Sequence, residues 1–170
     1  EFELGPPGIQ AIELARVVDR GIRESKTIDF KSLCIEEGKE VWLILIDVIS
    51  VNDAGNLMDA SALAALAALK NARYPKYEDG KISYKEKTDK KLELRNNPIA
   101  ITVVKIGGSL IVDPDSEEEK ATDARLTVTT LEDGTLCAMQ KGGDTPLTKE
   151  EIEKMIDIAV EKGKEIRKSL

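Results

Sequence analysis

Three arginines are spaced so that one face of a helix would carry all of them. Arg16, Arg20 and Arg23 stand at i, i+4 and i+7 in a stretch whose pattern predicts a helix, and side chains at this spacing share a helix face. Guanidinium groups bind phosphate bidentately and stay charged, so such a face could follow a nucleic-acid backbone. Acidic residues are interspersed with the arginines, so a solvated face held by intrahelical ion pairs is the alternative.

The densest run of charge is acidic and spans residues 113–119. It reads Asp113-Pro114-Asp115-Ser116-Glu117-Glu118-Glu119. A calcium-binding EF-hand is excluded, because its loop needs Gly where Glu118 stands and because no helix is predicted before it. We expect a solvated, flexible loop, with a divalent-metal or catalytic carboxylate cluster as the alternative, and we assign no metal ligand.

A polar turn with one glycine separates a long apolar run from an Ala-rich stretch. The turn reads Asp53-Ala54-Gly55-Asn56, and units in which a strand, a Gly turn and a helix follow one another often bind anions at the helix N-terminus. It lacks the second Gly and the Lys-Ser/Thr pair of a Walker loop. A plain turn between a strand and a helix is therefore the simpler interpretation.

Composition narrows the possible chemistry. The chain has 170 residues, no histidine and a net charge of −7, which excludes Ser-His-Asp and Cys-His catalysis and argues against a generic nucleic-acid binder. Cys34 and Cys137 fit no metal or redox spacing, and free thiols in a reducing cytoplasm are the expectation. No apolar run is long enough for a transmembrane helix, and the acidic opening Glu1-Phe2-Glu3-Leu4 is not that of a signal peptide.

The first half of the chain predicts two helices around one strand. A helix is expected from Ile9 to about Ser25, and a short edge strand at residues 32–36. Residues 41–51 are apolar on both faces for most of their length, so they predict a buried central strand. The Ala-rich helix follows, from Leu57 to about Lys70.

The second half predicts a β-meander followed by a helix. Short exposed strands are expected at residues 81–84 and 91–95, with a domain boundary at Asn96-Asn97-Pro98. Further strands are predicted at residues 99–106, 109–112, 124–130 and 135–141. Thr148 and Glu151 form the capping box of a last helix. The pattern is that of an α+β protein.

Taken together, several segments resemble the RNase PH family of phosphorolytic exoribonucleases. Within it, the chain is most similar to the catalytically silent RNase PH-like subunits of the archaeal exosome ring. The similar stretches are residues 3–7, 12–25, 53–57 with the Ala-rich helix, and 112–124. The resemblance implies a ribosomal-protein-type βαβ fold followed by a β-meander and a C-terminal helix. Residues 1–97 would then be the remainder of a first domain whose N-terminal strands are expected to be missing, and residues 98–170 a second domain.

The same resemblance implies that the catalytic positions have degenerated. Active members carry an arginine in the phosphate loop where this sequence has Leu57, and an Asp-x-Asp pair where it has Asp123 followed by Ala124 and Arg125. An apolar Leu57 cannot hold phosphate, and Arg125 inverts the charge of a carboxylate that acts as general acid or metal holder. Asp123 remains as a remnant. No catalytic residue and no cofactor is assigned.

The resemblance therefore implies a non-catalytic subunit of a phosphorolytic 3′-to-5′ exoribonuclease complex. Its expected partners are a catalytic RNase PH-like subunit, in a hexameric ring built as a trimer of dimers, together with RNA and the cap proteins of the exosome, in the cytoplasm and without a membrane. Arg16, Arg20 and Arg23 are the expected RNA-binding residues. The alternatives are an active phosphorolytic exoribonuclease and a stand-alone α+β module without an RNA role.

Overall fold

A computed structural model describes residues 5–78 and 80–169 and contains four α-helices and eight strands within them. The helices are α1 (Ile9–Glu24), α2 (Leu57–Asn71), α3 (Ser116–Lys120) and α4 (Lys149–Arg167). The strands are β1 (Cys34–Glu36), β2 (Glu40–Val41), β3 (Arg73–Glu78), β4 (Lys81–Lys91), β5 (Ile99–Ile106), β6 (Ser109–Val112), β7 (Ala124–Thr130) and β8 (Leu136–Gly142). A 3₁₀ helix, Phe30–Leu33, precedes β1. The α+β class is confirmed.

The main sheet contains β5 to β8 in the order β6-β5-β7-β8, with every pair antiparallel. Because side chains alternate between the two faces of a strand, Ile101 and Val103 of β5 lie on one face with Val128 of β7. They share a buried cluster with Met155 and Ala159 of α4. The predicted meander and its closing helix are therefore present, and the helix covers one face of the meander.

The other face of the main sheet is covered by α1 and α2. The Thr102 hydroxyl of β5 donates to Asp59 Oδ1 of α2 over 2.7 Å. Gly21 of α1 lies over Thr129 of β7, since a Cβ at Gly21 would be 3.6 Å from Thr129 Oγ1 and Cγ2. The sheet is thus sandwiched between α4 and the pair of N-terminal helices.

Both helices predicted in the first half form, with one difference in α1. The prediction of a helix from Ile9 to Ser25 is confirmed to within one residue, since α1 ends at Glu24. Val17 and Val18 are buried, as expected for its apolar stripe, but Ile9 is 85% exposed and Ile12 is 46% exposed. The first two turns of α1 therefore do not pack on the described part of the chain as the apolar stripe predicted.

The predicted central strand at residues 41–51 is wrong. Only Val41 belongs to a strand, the two-residue β2, and residues 42–50 form no helix and have no strand partner among the described residues. Trp42 donates its backbone N–H to the Leu33 carbonyl over 2.8 Å, and Trp42 and Ile44 pack against a small cluster around Leu69. The physical reason is that the described sheet gives this segment no neighbouring strand to pair with.

Three smaller predictions also need correction. The strand predicted at residues 81–84 is the start of a longer strand, β4, which ends at Lys91 and pairs with β3 in a separate two-stranded sheet. The strand predicted at residues 91–95 does not form, because beyond Lys91 only an isolated bridge joins Leu94 to Ile28. The edge strand predicted at residues 32–36 begins only at Cys34, because a 3₁₀ helix precedes it. The flexible acidic loop contains α3, whose capping box of Asp115 and Glu118 satisfies the first amides of that helix.

Candidate functional site

A cavity of about 260 Å³ opens between α1, the start of α2, the acidic segment and β7. Its wall includes Leu57 and Arg125, the two positions at which the resemblance implies lost catalytic groups. It also includes Glu13, Asp53 and Glu119. The structure therefore brings together three carboxylates, one guanidinium and the apolar Leu57 from four separate parts of the chain.

The turn before α2 is held tightly against the acidic segment. Gly55 has φ +114°, and a Cβ on it would lie 2.3 Å from the Pro114 carbonyl oxygen, so only glycine fits there. The Gly55 N–H donates to Asp53 Oδ1 over 3.0 Å. Asn56 follows in the left-handed conformation, with φ +56°. This close approach fixes the start of α2 beside residues 113–119.

Carboxylates of the chain itself surround the start of α2. The Asn56 N–H donates to Glu119 Oε1 over 2.8 Å, and its side-chain amide donates to Asp113 Oδ1 over 3.0 Å and to Asp59 Oδ2 over 3.2 Å. The N-terminus of a helix attracts anions through its free amides and its dipole. One of these amides is satisfied by the Glu119 carboxylate, so an external phosphate would have to displace it.

Asp59 links the first turn of α2 to β5. Its carboxylate accepts from the Thr102 N–H over 2.9 Å and from the Thr102 hydroxyl over 2.7 Å. Thr102 lies one residue before the β6 pairing begins at Val103, so Asp59 takes the place of a strand partner for that N–H. Burial raises the pKa of the Asp59 carboxyl, while its hydrogen bonds to Thr102 and Asn56 act in the opposite direction.

Arg125 is neutralised within the cavity. Its Nη2 lies 2.5 Å from Glu13 Oε2 of α1, and the two side chains are only 27% and 25% exposed. Gly142 of the neighbouring strand makes room for the guanidinium, because a Cβ at that position would lie 2.5 Å from Arg125 Cζ. A guanidinium paired in this way has less capacity to bind a further anion than a free one.

Asp123 does not lie in the wall of the cavity. Its Oδ2 accepts the Gly107 N–H over 2.7 Å, and its own N–H donates to the Lys105 carbonyl over 2.9 Å. The predicted remnant is thus tied to the turn between β5 and β6. Asp115, the third position of the acidic run, caps α3 by accepting from the amides of Glu117 and Glu118.

The arginines of α1 differ in what they contact. Arg23 pairs with Asp19, with Nη2 and Oδ1 2.7 Å apart. Arg16 and Arg20 are exposed and form no ion pair with any of the described residues. Glu13 pairs with Arg125 and Asp19 with Arg23, and Glu24 forms no ion pair among the described residues. Intrahelical ion pairing of this face is therefore limited to Arg23.

Two roles at the site are not predictable from the sequence. In the sequence, Glu13 is only one of several acidic residues beside the arginines, and Glu119 is only one member of an acidic run. Their partners, Arg125 and Asn56, lie 112 and 63 residues away. No local spacing rule identifies either contact.

Comparison with known proteins defines the class to which this fold and site belong. A sequence profile described as the 3′ exoribonuclease family, domain 1, matches residues 1–75, and the profile for domain 2 of the same family matches residues 96–162. The chain therefore belongs to the 3′ exoribonuclease family, and the resemblance to RNase PH-like proteins is confirmed.

Similar proteins of the family share one name. The chain is 48% identical over 167 residues to the exosome complex component Rrp42 of Methanosarcina acetivorans, covering 98% of this chain and 61% of that protein. It is 47% identical over 166 residues to the protein of the same name from Thermoplasma acidophilum, covering 98% and 62%. The chain thus spans just over three-fifths of the length of these relatives.

Solved structures agree in fold. A chain of the Archaeoglobus fulgidus exosome with RNA bound to the active site matches with a TM-score of 0.89 at 41% identity, over 99% of this chain and 64% of that one. A chain of an archaeal exosome core matches with a TM-score of 0.85 at 41% identity, over 94% and 63%. Separately, no helix in the described ranges is long and apolar enough to cross a membrane.

Proposed function

We propose that this chain is a non-catalytic subunit of an archaeal exosome ring and supports 3′-to-5′ phosphorolytic RNA degradation by a catalytic RNase PH-like neighbour. It does so in the cytoplasm, by completing the ring and by contributing arginines to the RNA path. The names of its relatives support the place in the ring. The division into residues 1–97 and 98–170, and contacts with cap proteins, belong to the same proposal.

The charge of the cavity is the observation that carries the loss of catalysis. Its wall contains three carboxylates, those of Glu13, Asp53 and Glu119, against the single guanidinium of Arg125, which is itself paired with Glu13. Phosphorolysis needs inorganic phosphate held beside the RNA, and the net negative charge of this wall repels an anion. Leu57 provides no charge to compensate.

Ring assembly is tested by mixing. The purified chain and a catalytic RNase PH-like subunit are run together and separately on a size-exclusion column. We expect a species larger than either component, and we expect the mixture to shorten RNA faster than the catalytic subunit alone. A chain that elutes as a monomer in the presence of that subunit contradicts the proposal and favours a stand-alone module.

The RNA-binding role belongs chiefly to Arg16 and Arg20, because both are exposed and unpaired among the described residues. Arg23 is included with a smaller role, since RNA must compete for it with Asp19. Contacts of guanidinium groups with phosphate carry little sequence information, which suits a complex that must move along any RNA.

Reversing the charge of Arg16 and Arg20 should weaken RNA binding by the assembly. Two fewer phosphates are then neutralised, so the affinity for RNA falls at low salt. Each phosphate contact on a single strand contributes about 0.7 to the slope of log K against log salt concentration, so the slope should become shallower by roughly 1.4. The matched control reverses Lys154 and Lys164 of α4, which covers the other face of the sheet. Equal reductions of affinity in both double variants would show a general charge effect instead of a binding face.

A further inference from the structure

The ion pair between Glu13 and Arg125 connects the arginine-bearing helix to the sheet. Among the described residues it is the only salt bridge that joins α1 to another element. Its two side chains are about three-quarters covered, so water screens it less than it screens the exposed pairs of the chain. Arg125, at the position where the resemblance implies a catalytic carboxylate in active relatives, thus makes a contact between the helix and the sheet.

The ion pair is the last of three regularly spaced contacts between α1 and β7. Gly21 lies over Thr129, Val17 and Thr127 line one small crevice, and the next step along both elements brings Glu13 to Arg125. One helical step of four residues advances about 6 Å and two strand residues advance about 7 Å. Helix and strand therefore run side by side, matched at three successive levels.

The three levels do not hold α1 equally. Val17 and Gly21 are buried, so the C-terminal half of the helix is fixed by packing. In the N-terminal half Ile9 and Ile12 are exposed, and the N-cap residue is Gly8, which has no side chain that could cap the first turn. The ion pair is thus the anchor at the less packed end of the helix.

Arg16 stands between the ion pair and the packed levels, and Arg20 lies one turn further on. Rotation or lifting of the first turns of α1 would move the Arg16 guanidinium most. Arg20 also lines the crevice that holds Val17 and Thr127, so its direction depends on the same register.

We propose that Glu13 and Arg125 are positioning residues for RNA binding: their ion pair holds α1 at the orientation in which Arg16 and Arg20 face the RNA, and neither residue contacts RNA itself. This inference rests on the RNA role proposed above for α1. It assigns a use to Arg125, the position at which the resemblance implies that a catalytic carboxylate is lost.

The sharpest test is Glu13→Gln, because the positioning role and a pure charge effect predict opposite changes in RNA affinity. Removing a negative charge from an RNA-binding helix should tighten binding if only charge matters. Loss of the anchor should instead weaken it, by about two- to tenfold. Affinity for a single-stranded oligoadenylate is measured by fluorescence anisotropy on the assembly with the catalytic subunit. Glu24→Gln is the control, since it removes the same charge from an exposed residue of the same helix.

The charge-swapped variant Glu13→Arg with Arg125→Glu restores the pair in reverse and is expected to regain most of the affinity. Hydrogen exchange supplies a readout independent of RNA: amides of residues 9–16 should exchange faster in Glu13→Gln and at the original rate in the swap. Binding by Glu13→Gln that equals or exceeds that of the original chain would overturn the inference. If charge reversal of Arg16 and Arg20 weakens RNA binding but Glu13→Gln does not, only the positioning role is rejected. If charge reversal of the two arginines leaves RNA binding unchanged, the RNA role of α1 itself is rejected.

Discussion

Two apolar segments of this chain, β5 and residues 42–51, have similar composition and opposite surroundings. In β5 the first six side chains are buried, and β6 and β7 pair with it on both sides. In the other segment the exposed apolar side chains range from 38% for Ile46 to 96% for Val51, and no described residue pairs with residues 43–50 as a strand.

The difference shows that an apolar run predicts a segment suited to burial in a sheet, but it does not determine whether neighbouring strands are present to pair with it. The partners of β5 follow closely along the chain, as β6 across a two-residue turn and then β7. No described residue pairs with the backbone of residues 43–50 as a strand, and an unpaired strand edge is a template for strand pairing. The two segments should therefore behave differently in every experiment that measures protection or burial.

The largest difference is expected in hydrogen exchange. Amides of β5 become accessible only when the cooperative core opens, whereas those of residues 43–50 have no strand partner in the part of the chain that the structure describes. For a domain of ordinary stability the ratio of protection is at least about a thousandfold. Exchange measured by mass spectrometry on the chain alone checks this. Protection of residues 43–50 equal to that of β5 would mean that the segment pairs in solution.

The same Ile→Ala substitution should lower the free energy of unfolding far more in β5 than in residues 42–51. Ile101 is 2% exposed and Ile49 is 69% exposed. Ile101→Ala should lower the free energy of unfolding by about 2–5 kcal/mol, because burial is reduced and a cavity forms. Ile49→Ala should change it by less than about 0.5 kcal/mol. Urea denaturation measures both, and similar decreases would break the comparison.

A smaller effect separates polar groups in the two regions. Asp59→Ala removes the acceptor of the buried Thr102 N–H, and an unsatisfied buried donor costs about 1–3 kcal/mol. Ser50→Ala removes an exposed hydroxyl that donates to the Asn52 carbonyl over 3.1 Å, and water can replace that contact. If both variants unfold at the same urea concentration, Asp59 does not complete the edge of β5.

The smallest effect is a pH dependence from Asp59. Because burial raises its pKa in the folded state, the folded protein binds more protons than the unfolded chain between the ordinary value of about 3.8 and the raised one. The contribution of Asp59 to stability is therefore fully present below the ordinary value and is lost as pH rises through the raised one. The stability of the original chain relative to Asp59→Asn should fall with rising pH, and a relative rise would contradict the burial of Asp59.

Local signals predict the elements that depend on local physics. The i, i+4, i+7 spacing of the arginines that begins at Arg16 identifies α1. The capping box of Thr148 and Glu151 identifies the start of α4. The Asp115 capping box is equally visible in the sequence, but the charge of the run favours a flexible loop over a helix. Here the local signal is present and the interpretation of the run as a loop is wrong.

Contacts between distant residues cannot be predicted in the same way. The exposure of residues 42–51 depends on which strands are present beside them, and the pairing of Glu13 with Arg125 depends on the register of α1 on β7. The expected degeneration of the catalytic positions comes from resemblance alone. The structure adds what surrounds them, namely carboxylates of the chain itself.

Phosphorolysis by the isolated chain tests the central claim most directly. The chain is incubated with labelled single-stranded RNA and inorganic phosphate, and the release of nucleoside diphosphates is measured, with the catalytic subunit as the positive control. The proposal predicts no phosphate-dependent release by this chain. Phosphate-dependent release that disappears in an Asp123→Asn variant would contradict it, because the chain would then be an enzyme that uses the remaining carboxylate.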